Sequence, residues 1–592
     1  MREFSVPPVV TIGDAATLTD PVWDNADAAA DVVQFTRRVG GTWQDVTCAQ
    51  FRDEVVALVR GLINAGIEAG ERVGLMSKTR YEWTLIDYAI WACGAVTVPI
   101  YETSSAEQVA WILADSGAVA CFVETDQHRQ LVSDVRDQLP DLEHLWQIEA
   151  DGGRGAVEEL VADGAAIPAE EVEQRRHAIG ADDVATIIYT SGTTGRPKGC
   201  VLTHRNMYSD IANAIPGLNA LFHEGASTLL FLPLAHSFAR LIQIGVVQAR
   251  ARMGHTADIK NLVDNLKDFQ PTFVLAVPRV FEKVYNTARQ QAHADGKGAI
   301  FDRAERVAIA YSEALDRRGG PGLLLRAQHA LFDRLVYGKL RAALGGRCRD
   351  AIAGGAPLGE RLAHFFRGVG VTVYEGYGLT ETSPLTHANP IYGVRKPGSI
   401  GIPVPDTEAR LVDLETGMPL PSGAAEAGEL AIRGPQVMRG YWNRAEDTAD
   451  CLSADGWLCT GDICTVDDDG YFSIVDRKKD MIIASGYKIL PREVEEVLFA
   501  HPAVQEAAVV GVPDPYRCET VKAFIVPKAS MHPTVEELIT HCRASLAPYK
   551  VPRLIEFRAE LPKTAIGKVL PRVLAAEEQQ QSPAQATDAP SV

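Results

Sequence analysis

Four segments carry residue types whose chemistry is specific. The first is Thr190-Ser191-Gly192-Thr193-Thr194-Gly195-Arg196-Pro197-Lys198-Gly199, directly after the apolar run Ala185–Tyr189. Glycines let a backbone approach a ligand closely, amides and hydroxyls donate to phosphate oxygens, and Lys198 adds a positive charge. The loop common to nucleotide hydrolases is excluded, because Lys198 is followed by Gly199 and not by Ser or Thr. The second runs from Tyr374 to Thr382. In it Gly376 and Gly378 flank Tyr377, whose ring could stack on a base, and Thr380 and Glu381 follow at once. A carboxylate beside phosphates is a natural Mg2+ ligand, since magnesium favours oxygen donors shared with a nucleotide. The third pairs Thr460-Gly461-Asp462 with Asp476-Arg477-Lys478-Lys479-Asp480, where a carboxylate can accept from both ribose hydroxyls. The fourth is the basic loop Pro562–Lys568. Each segment alone also has a plainer reading: a flexible Gly/Thr loop, a glycine turn with a solvated Glu, an exposed linker, a solvated lysine near the tail.

The elements around these segments alternate. Val73–Met76 reads as a strand, Trp83–Cys93 as a buried helix and Val96–Ile100 as a strand. Ser104 and Glu107 are expected to form a capping box, and Ala118–Val123 is the next strand. Such βαβ alternation predicts a parallel sheet covered by helices. The pattern resumes at Leu229–Leu232 and Phe273–Ala276, is interrupted by a helical insertion at about 285–345, and gives way to short strands forming a small β unit at about 398–475. After Asp476 comes a compact α+β unit with Pro491 at a first helical position, a capping box at Thr534 and Glu537, and strands at Ala507–Val512 and Val521–Val526. The fold class expected is therefore α/β: residues 1–475 as a large domain, 476–576 as a small lid domain after a hinge at 476–479, and 577–592 as a disordered tail rich in Glu, Gln, Ser, Pro and Ala.

The 592 residues are too many for one hydrophobic core, and 46% of them are hydrophobic, an ordinary globular value. A net charge of −19 gives no general attraction to nucleic acid, so a phosphate ligand must be held by local groups. The ten cysteines lack paired zinc-type spacing, and reduced thiols of a cytoplasmic protein are expected. No secretion signal opens Met1–Ile12 and no stretch approaches a membrane span, which leaves peripheral membrane contact open.

In this order and spacing, over about residues 30–575, the four segments resemble the adenylate-forming superfamily of acyl-CoA synthetases, luciferases and peptide-synthetase adenylation domains. The resemblance implies roles. Thr190 to Lys198 would hold the β- and γ-phosphates of ATP, and Gly355, Ala356, Pro357 and Tyr377 with Gly378 would surround adenine. Thr380 would contact the α-phosphate, Glu381 the magnesium, and Asp462 and Arg477 the ribose. Lys568 would bridge the acyl carboxylate and the α-phosphate, Lys479 would be the hinge, and Ser485-Gly486-Tyr487 would line the path of coenzyme A.

Three stretches look like the long-chain fatty acid branch: Tyr101–Ser105 with Gln108, Leu232–Phe238 with Arg240, and Val277–Lys283. His236 lies where the family places a residue at the acyl-pocket entrance, Arg240 stands where some relatives carry an aromatic gate, and Cys518 stands where glycine is usual. The activity implied is ATP + fatty acid + CoA → acyl-CoA + AMP + diphosphate, through an acyl-adenylate. The rivals are a fatty acyl-AMP ligase feeding a carrier protein, a non-catalytic acyl or nucleotide sensor, and a nucleotide hydrolase.

Overall fold

Val96–Ile100 is apolar or β-branched at every position, and all five residues are buried, as a strand covered on both faces must be. In the computed structural model it lies inside a sheet ordered Gly440–Tyr441, Lys198–Thr203, Val184–Thr190, Val96–Ile100, Arg72–Met76, Ala118–Val123, His144–Gln147. The inner pairings are parallel, whereas Lys198–Thr203 runs antiparallel to both its neighbours. The structure describes residues 3–149, 154–190, 196–356, 358–391, 393–421, 427–484, 487–514, 517–528, 531–563 and 569–581.

The chain divides into two compact units, one of Phe4–Ala409 and Ile432–Leu458, the other of Arg410–Ala431 and the chain from Cys459 onward. The larger unit also holds a sheet led by the parallel strands Phe273–Ala276, Asp350–Ala353 and Thr372–Gly378, and another built from Ser227–Leu230, Arg252–His255, Val33–Val39 and Thr42–Thr47. The expected helical insertion is formed by Pro278–Ala294, Gly298–Leu315, Leu323–Phe332 and Gly338–Ala343.

A polar knot sits in this otherwise apolar core. Arg240 and Asp87 are both fully buried and pair at 2.7 Å. Arg240 also donates to Thr186 Oγ1 at 2.6 Å, Thr186 donates to the Thr97 carbonyl at 2.7 Å, and Gln243 donates to Asp87 at 2.9 Å. Trp83 and Trp91 flank the guanidinium, with ring centres 5.5 and 5.1 Å away. The knot ties the helix Ser237–Gln248 to the helix Tyr81–Ala92 and to two central strands. Arg240, read from sequence at a gate position, is therefore part of the core.

The smaller unit contains the antiparallel pair Leu458–Val466 and Phe472–Arg477, and a second sheet with Cys518–Pro527 between Ile482–Ala484 and Val504–Asp514. Its division from the rest differs from the boundary drawn at 476–479. Strand Phe472–Arg477 is held to the following helix Pro491–Phe499, because Arg492 donates its backbone amide to Asp476 at 3.0 Å and its guanidinium to the Ile474 carbonyl at 3.3 Å. Lys478 is likewise paired with Glu429 at 2.8 Å. These bonds gather part of the small β unit with the C-terminal region.

Two local expectations are corrected. The capping box at the helix Ala106–Ser116 uses Ser105 and Gln108, not Ser104 and Glu107, because Ser104 spends its amide on a turn to the Tyr101 carbonyl. The helix Pro571–Gln581 also runs five residues into the stretch read as disordered, and residues from 582 onward lie outside those described. Its first turn carries the apolar Val573 and Leu574, and Leu574 is fully buried in a cluster with Phe524 and Val510. The box at Thr534 and Glu537 forms as read.

Removing one partner of the core pair leaves a buried charge without compensation, at a cost of about 3–5 kcal/mol. Arg240→Leu is expected to lower the thermal midpoint of the protein strongly, and the double variant Asp87→Leu/Arg240→Met to recover part of the loss. A single variant melting with the parent in differential scanning fluorimetry would refute the role given to the pair.

Candidate active site

The hairpin carrying the glycine-threonine loop is clamped at its base. Thr190 closes the strand Val184–Thr190 and lies in register with Lys198. Ser191, Gly192, Thr193, Thr194 and Gly195 lie outside the described residues. On the exit side, Trp111 donates its indole N–H to the Pro197 carbonyl at 2.9 Å and stacks beneath Arg196, whose guanidinium carbon is 4.6 Å from the ring centre. Gly199 has no room for a side chain: a Cβ would come within 2.7 Å of Ile187 and 3.1 Å of the Tyr189 ring.

Lys198 forms an ion pair with Asp447 and sits 5.4 Å from the centre of the Tyr441 ring. Tyr441 belongs to the short edge strand Gly440–Tyr441, which pairs with Cys200 and Val201 just after the lysine. Its hydroxyl donates to Glu381 Oε1 at 2.8 Å. Burial first, then the Glu381 carboxylate, push that hydroxyl far above the ordinary tyrosine range, so it keeps its proton and stays a donor. One phenol ring thus stands between the cation after the phosphate-type loop and the carboxylate read as the magnesium ligand.

Glu381 is fixed by its backbone as well. It lies in the single turn Thr380–Thr382 after the strand Thr372–Gly378, and its carbonyl accepts from the Met438 amide at 2.8 Å. The Thr382 hydroxyl donates to the Pro384 carbonyl at 2.8 Å, and Ser383 donates to the Gln436 carbonyl at 2.9 Å. Gly378 must be glycine, since a Cβ there would lie 1.5 Å from the Pro384 oxygen. Thr380 is 3.3 Å from the Ser237 hydroxyl. Tyr377 is only 8% exposed and meets His387 edge-on, with ring centres 6.0 Å apart, so most of its ring is core and only a margin is open to a ligand.

Gly355 and Ala356 are exposed at the end of the strand Asp350–Ala353, with Gly355 at φ +79°. Pro357 lies outside the described residues. A Cβ on the preceding Gly354 would come within 2.7 Å of the Phe238 ring. His236 is the N-cap of the helix Ser237–Gln248, and its ring nitrogen accepts from the Phe238 amide at 3.2 Å. The histidine is thus half-buried at the helix start, with Ser237 and Phe238 reaching toward the two nucleotide-type segments.

The remaining predicted residues belong to the smaller unit. Asp462 is 2% exposed and in register with Arg477, which pairs with it at 3.0 Å. Lys479 is exposed in the turn closed by the Asp480 amide on the Arg477 carbonyl. Ser485, Gly486 and Lys568 lie outside the described residues. For Tyr487 only the backbone is described, paired with Ala484. The loop that carries Lys568 is closed at its base by a bridge between Lys563 and Val569 and by the Leu570 amide on the Pro562 carbonyl.

Sequence reasoning missed Tyr441 and Asp447, and placed Ser237 in a motif stretch without giving it a role. Tyr441 had a signal, an aromatic pair directly after Gly440, but nothing in the linear chain brings it to Glu381. Among the described residues no group of three or more His, Cys, Asp or Glu could hold a metal. The single carboxylate of Glu381 beside Thr380 fits a magnesium ion whose other ligands are phosphate oxygens and water, not a protein cage.

Comparisons with known proteins place the chain in a family. A family model described as AMP-binding enzyme matches residues 22–442, and one described as AMP-binding enzyme C-terminal domain matches 493–568. The chain is 48% identical over 520 residues to the long-chain-fatty-acid–CoA ligase FadD15 of Mycobacterium bovis, covering 87% of this chain and 83% of that protein. It is 40% identical over 398 residues to a long-chain-fatty-acid–CoA ligase of Bacillus subtilis, covering 67% of this chain and 62% of the relative. Among solved structures, ATP-bound MatB from Rhodopseudomonas palustris aligns with a TM-score of 0.76 at 25% identity, over 95% of this chain and 99% of that one. A Mycobacterium tuberculosis fatty acyl CoA synthetase aligns with a TM-score of 0.67 at 26% identity, over 95% and 98%. With the large-domain model spanning most of the chain and the C-terminal model following it, the chain belongs to the AMP-binding enzyme family.

Proposed function

We propose that this chain is a cytoplasmic long-chain fatty acid–CoA ligase that makes acyl-CoA, AMP and diphosphate from ATP, a fatty acid and CoA. The observation that carries the reading is the convergence of Lys198 and Glu381 on the two sides of Tyr441. A cation for the outer phosphates and a carboxylate for their counter-ion are what the departure of diphosphate requires. Identity of 48% to a ligase of that name supports the choice of acid and acceptor. Nine of the ten cysteines are described as free thiols, most of them buried, which accords with a reducing compartment.

A carboxylate acylates poorly because its leaving group would be oxide. In the first step its oxygen attacks the α-phosphorus, and the bond to diphosphate breaks. Thr190 and Lys198, with the loop between them, hold the β- and γ-phosphates, and Thr380 contacts the α-phosphate. Glu381 would hold a magnesium ion, whose charge would offset that of the phosphates. Lys568 offsets the repulsion between the two anions and fixes their approach. Gly355, Ala356, Pro357 and the open margin of Tyr377 receive the adenine, while Asp462 and Arg477 take the ribose. In the second step the CoA sulfur, arriving past Ser485–Tyr487, attacks the acyl carbon and AMP leaves. Lys568 must withdraw between the steps, which is the purpose of a hinge at Lys479. His236 stands at the entrance for the acyl chain.

Incubation with ATP, CoA and a ladder of fatty acids, followed by mass spectrometry, is expected to show acyl-CoA peaking at long chains. Acyl-AMP without acyl-CoA would favour the acyl-AMP ligase, and absence of product with every acid would leave the sensor. Lys568→Ala is expected to reduce adenylate formation at least about a hundredfold while largely sparing thioester formation from supplied acyl-AMP. Equal loss in both half-reactions would remove its assignment. Tyr441→Phe deletes one hydrogen bond to a charged partner and is expected to lower kcat/KM for ATP about tenfold and to raise the magnesium needed for half-maximal rate. An unchanged magnesium titration would separate Tyr441 from the metal.

A further inference from the structure

The helical insertion turns two different faces to its surroundings. Inward, Phe332 and Tyr337 are buried, and the Tyr337 hydroxyl donates to the Ala304 carbonyl at 2.7 Å. His329 stacks on Tyr311 at 3.9 Å and donates to the Gly368 carbonyl at 2.6 Å. Outward, Leu324, Ala327 and Leu331 fall at i, i+3 and i+7 of the helix Leu323–Phe332, so they form one stripe. Leu323 is 84% exposed, Leu324 74%, Leu331 56% and Leu335 49%. Leu323 and Leu324 are the most exposed large apolar side chains among the described residues. Leucines that cluster on a surface mark a site of contact.

The charge around this stripe runs against that of the chain. Residues 317–341 contain six basic residues and one acidic residue, Asp333, in a protein of net charge −19. Asp333 is itself paired with Arg341 at 2.7 Å. Arg318, Arg326, Arg334 and Lys339 are all exposed. We propose that the outer face of the helix Leu323–Phe332, with Leu335 and these basic residues, docks in the plane of an anionic lipid bilayer. Leucines enter the boundary between headgroups and acyl chains, and arginines meet lipid phosphates, as an interfacial helix does. No helix among the described residues is long and apolar enough to cross a membrane, which leaves surface docking as the mode. A second copy of the chain fits the face poorly, because it would bring the same positive charges together. The inference does not depend on the ligase reading.

The test is flotation of the full chain with vesicles of phosphatidylcholine, with and without a quarter of phosphatidylglycerol, at low and high salt. The intact protein is expected to float with the anionic vesicles at low salt. Leu324→Ser/Leu331→Ser and Arg326→Glu/Arg334→Glu are each expected to weaken that binding about tenfold or more. Lys260→Glu/Lys267→Glu, on exposed positions of another segment, makes the same charge change and is expected to bind as the parent does. Circular dichroism and turnover of detergent-dispersed acid check that the variants are folded. The proposal is overturned by absence of flotation, by binding that ignores the leucine and arginine changes, by equal loss in the lysine control, or by light scattering that shows these leucines closing a dimer.

Discussion

Arg240 and Asp87 are the polar contact on which the placement of the candidate site rests. Neither side chain touches water, and an ion in that position needs its partner, its hydrogen bonds and its packing together. The arginine belongs to the helix that begins at His236, the aspartate to a helix buried among the parallel strands, and the bridging Thr186 to the strand that ends at Thr190. The start of the acyl-side helix and the start of the phosphate-type loop are thus referred to one buried point. Two tryptophan rings beside the guanidinium help keep water out, which strengthens each of these bonds.

From that point the site is assembled by backbone as much as by side chain. Gly199 and Gly378 are sites of close approach, where strands pass within contact of rings or carbonyls. The edge strand Gly440–Tyr441 then adds the phenol that separates Lys198 from Glu381. Lys198 is thus held by its ion pair with Asp447 and Glu381 by the Tyr441 hydroxyl, a donor that keeps its proton.

Much of this was legible in the sequence, and the unread parts have a common cause. Strands such as Phe273–Ala276 and Val96–Ile100 announced themselves because burial on both faces demands unbroken apolar runs. The glycine-threonine loop stood out in the sequence because glycines and hydroxyls lie side by side there, although Ser191–Gly195 lie outside the described residues. The capping box slipped by one residue because Ser104 and Ser105 offer the same hydroxyl, and only the turn to Tyr101 decides between them. Arg240 stood out in the sequence only as a departure from an aromatic gate position, and its core role was not legible because its carboxylate partner is 153 residues away. Tyr441 and Asp447 escaped for the same reason: their partners Glu381 and Lys198 are remote in the chain. The compact units divide elsewhere than at 476–479 because strand pairing and the bonds of Arg492, which composition does not display, gather residues 459–477 with the C-terminal region.

The contact between Gly354 and the Phe238 ring constrains how this protein can diversify. Gly354 leads into the segment proposed for adenine, while Phe238 sits on the helix capped by His236. A larger residue at 354 meets the ring within 2.7 Å, so it is tolerated only on a background in which position 238 has already become smaller. Substitutions at these two positions therefore have an order: the ring must shrink first, and the glycine is released only afterwards. A lineage that keeps the phenylalanine keeps the glycine as well, so the two positions are expected to vary together.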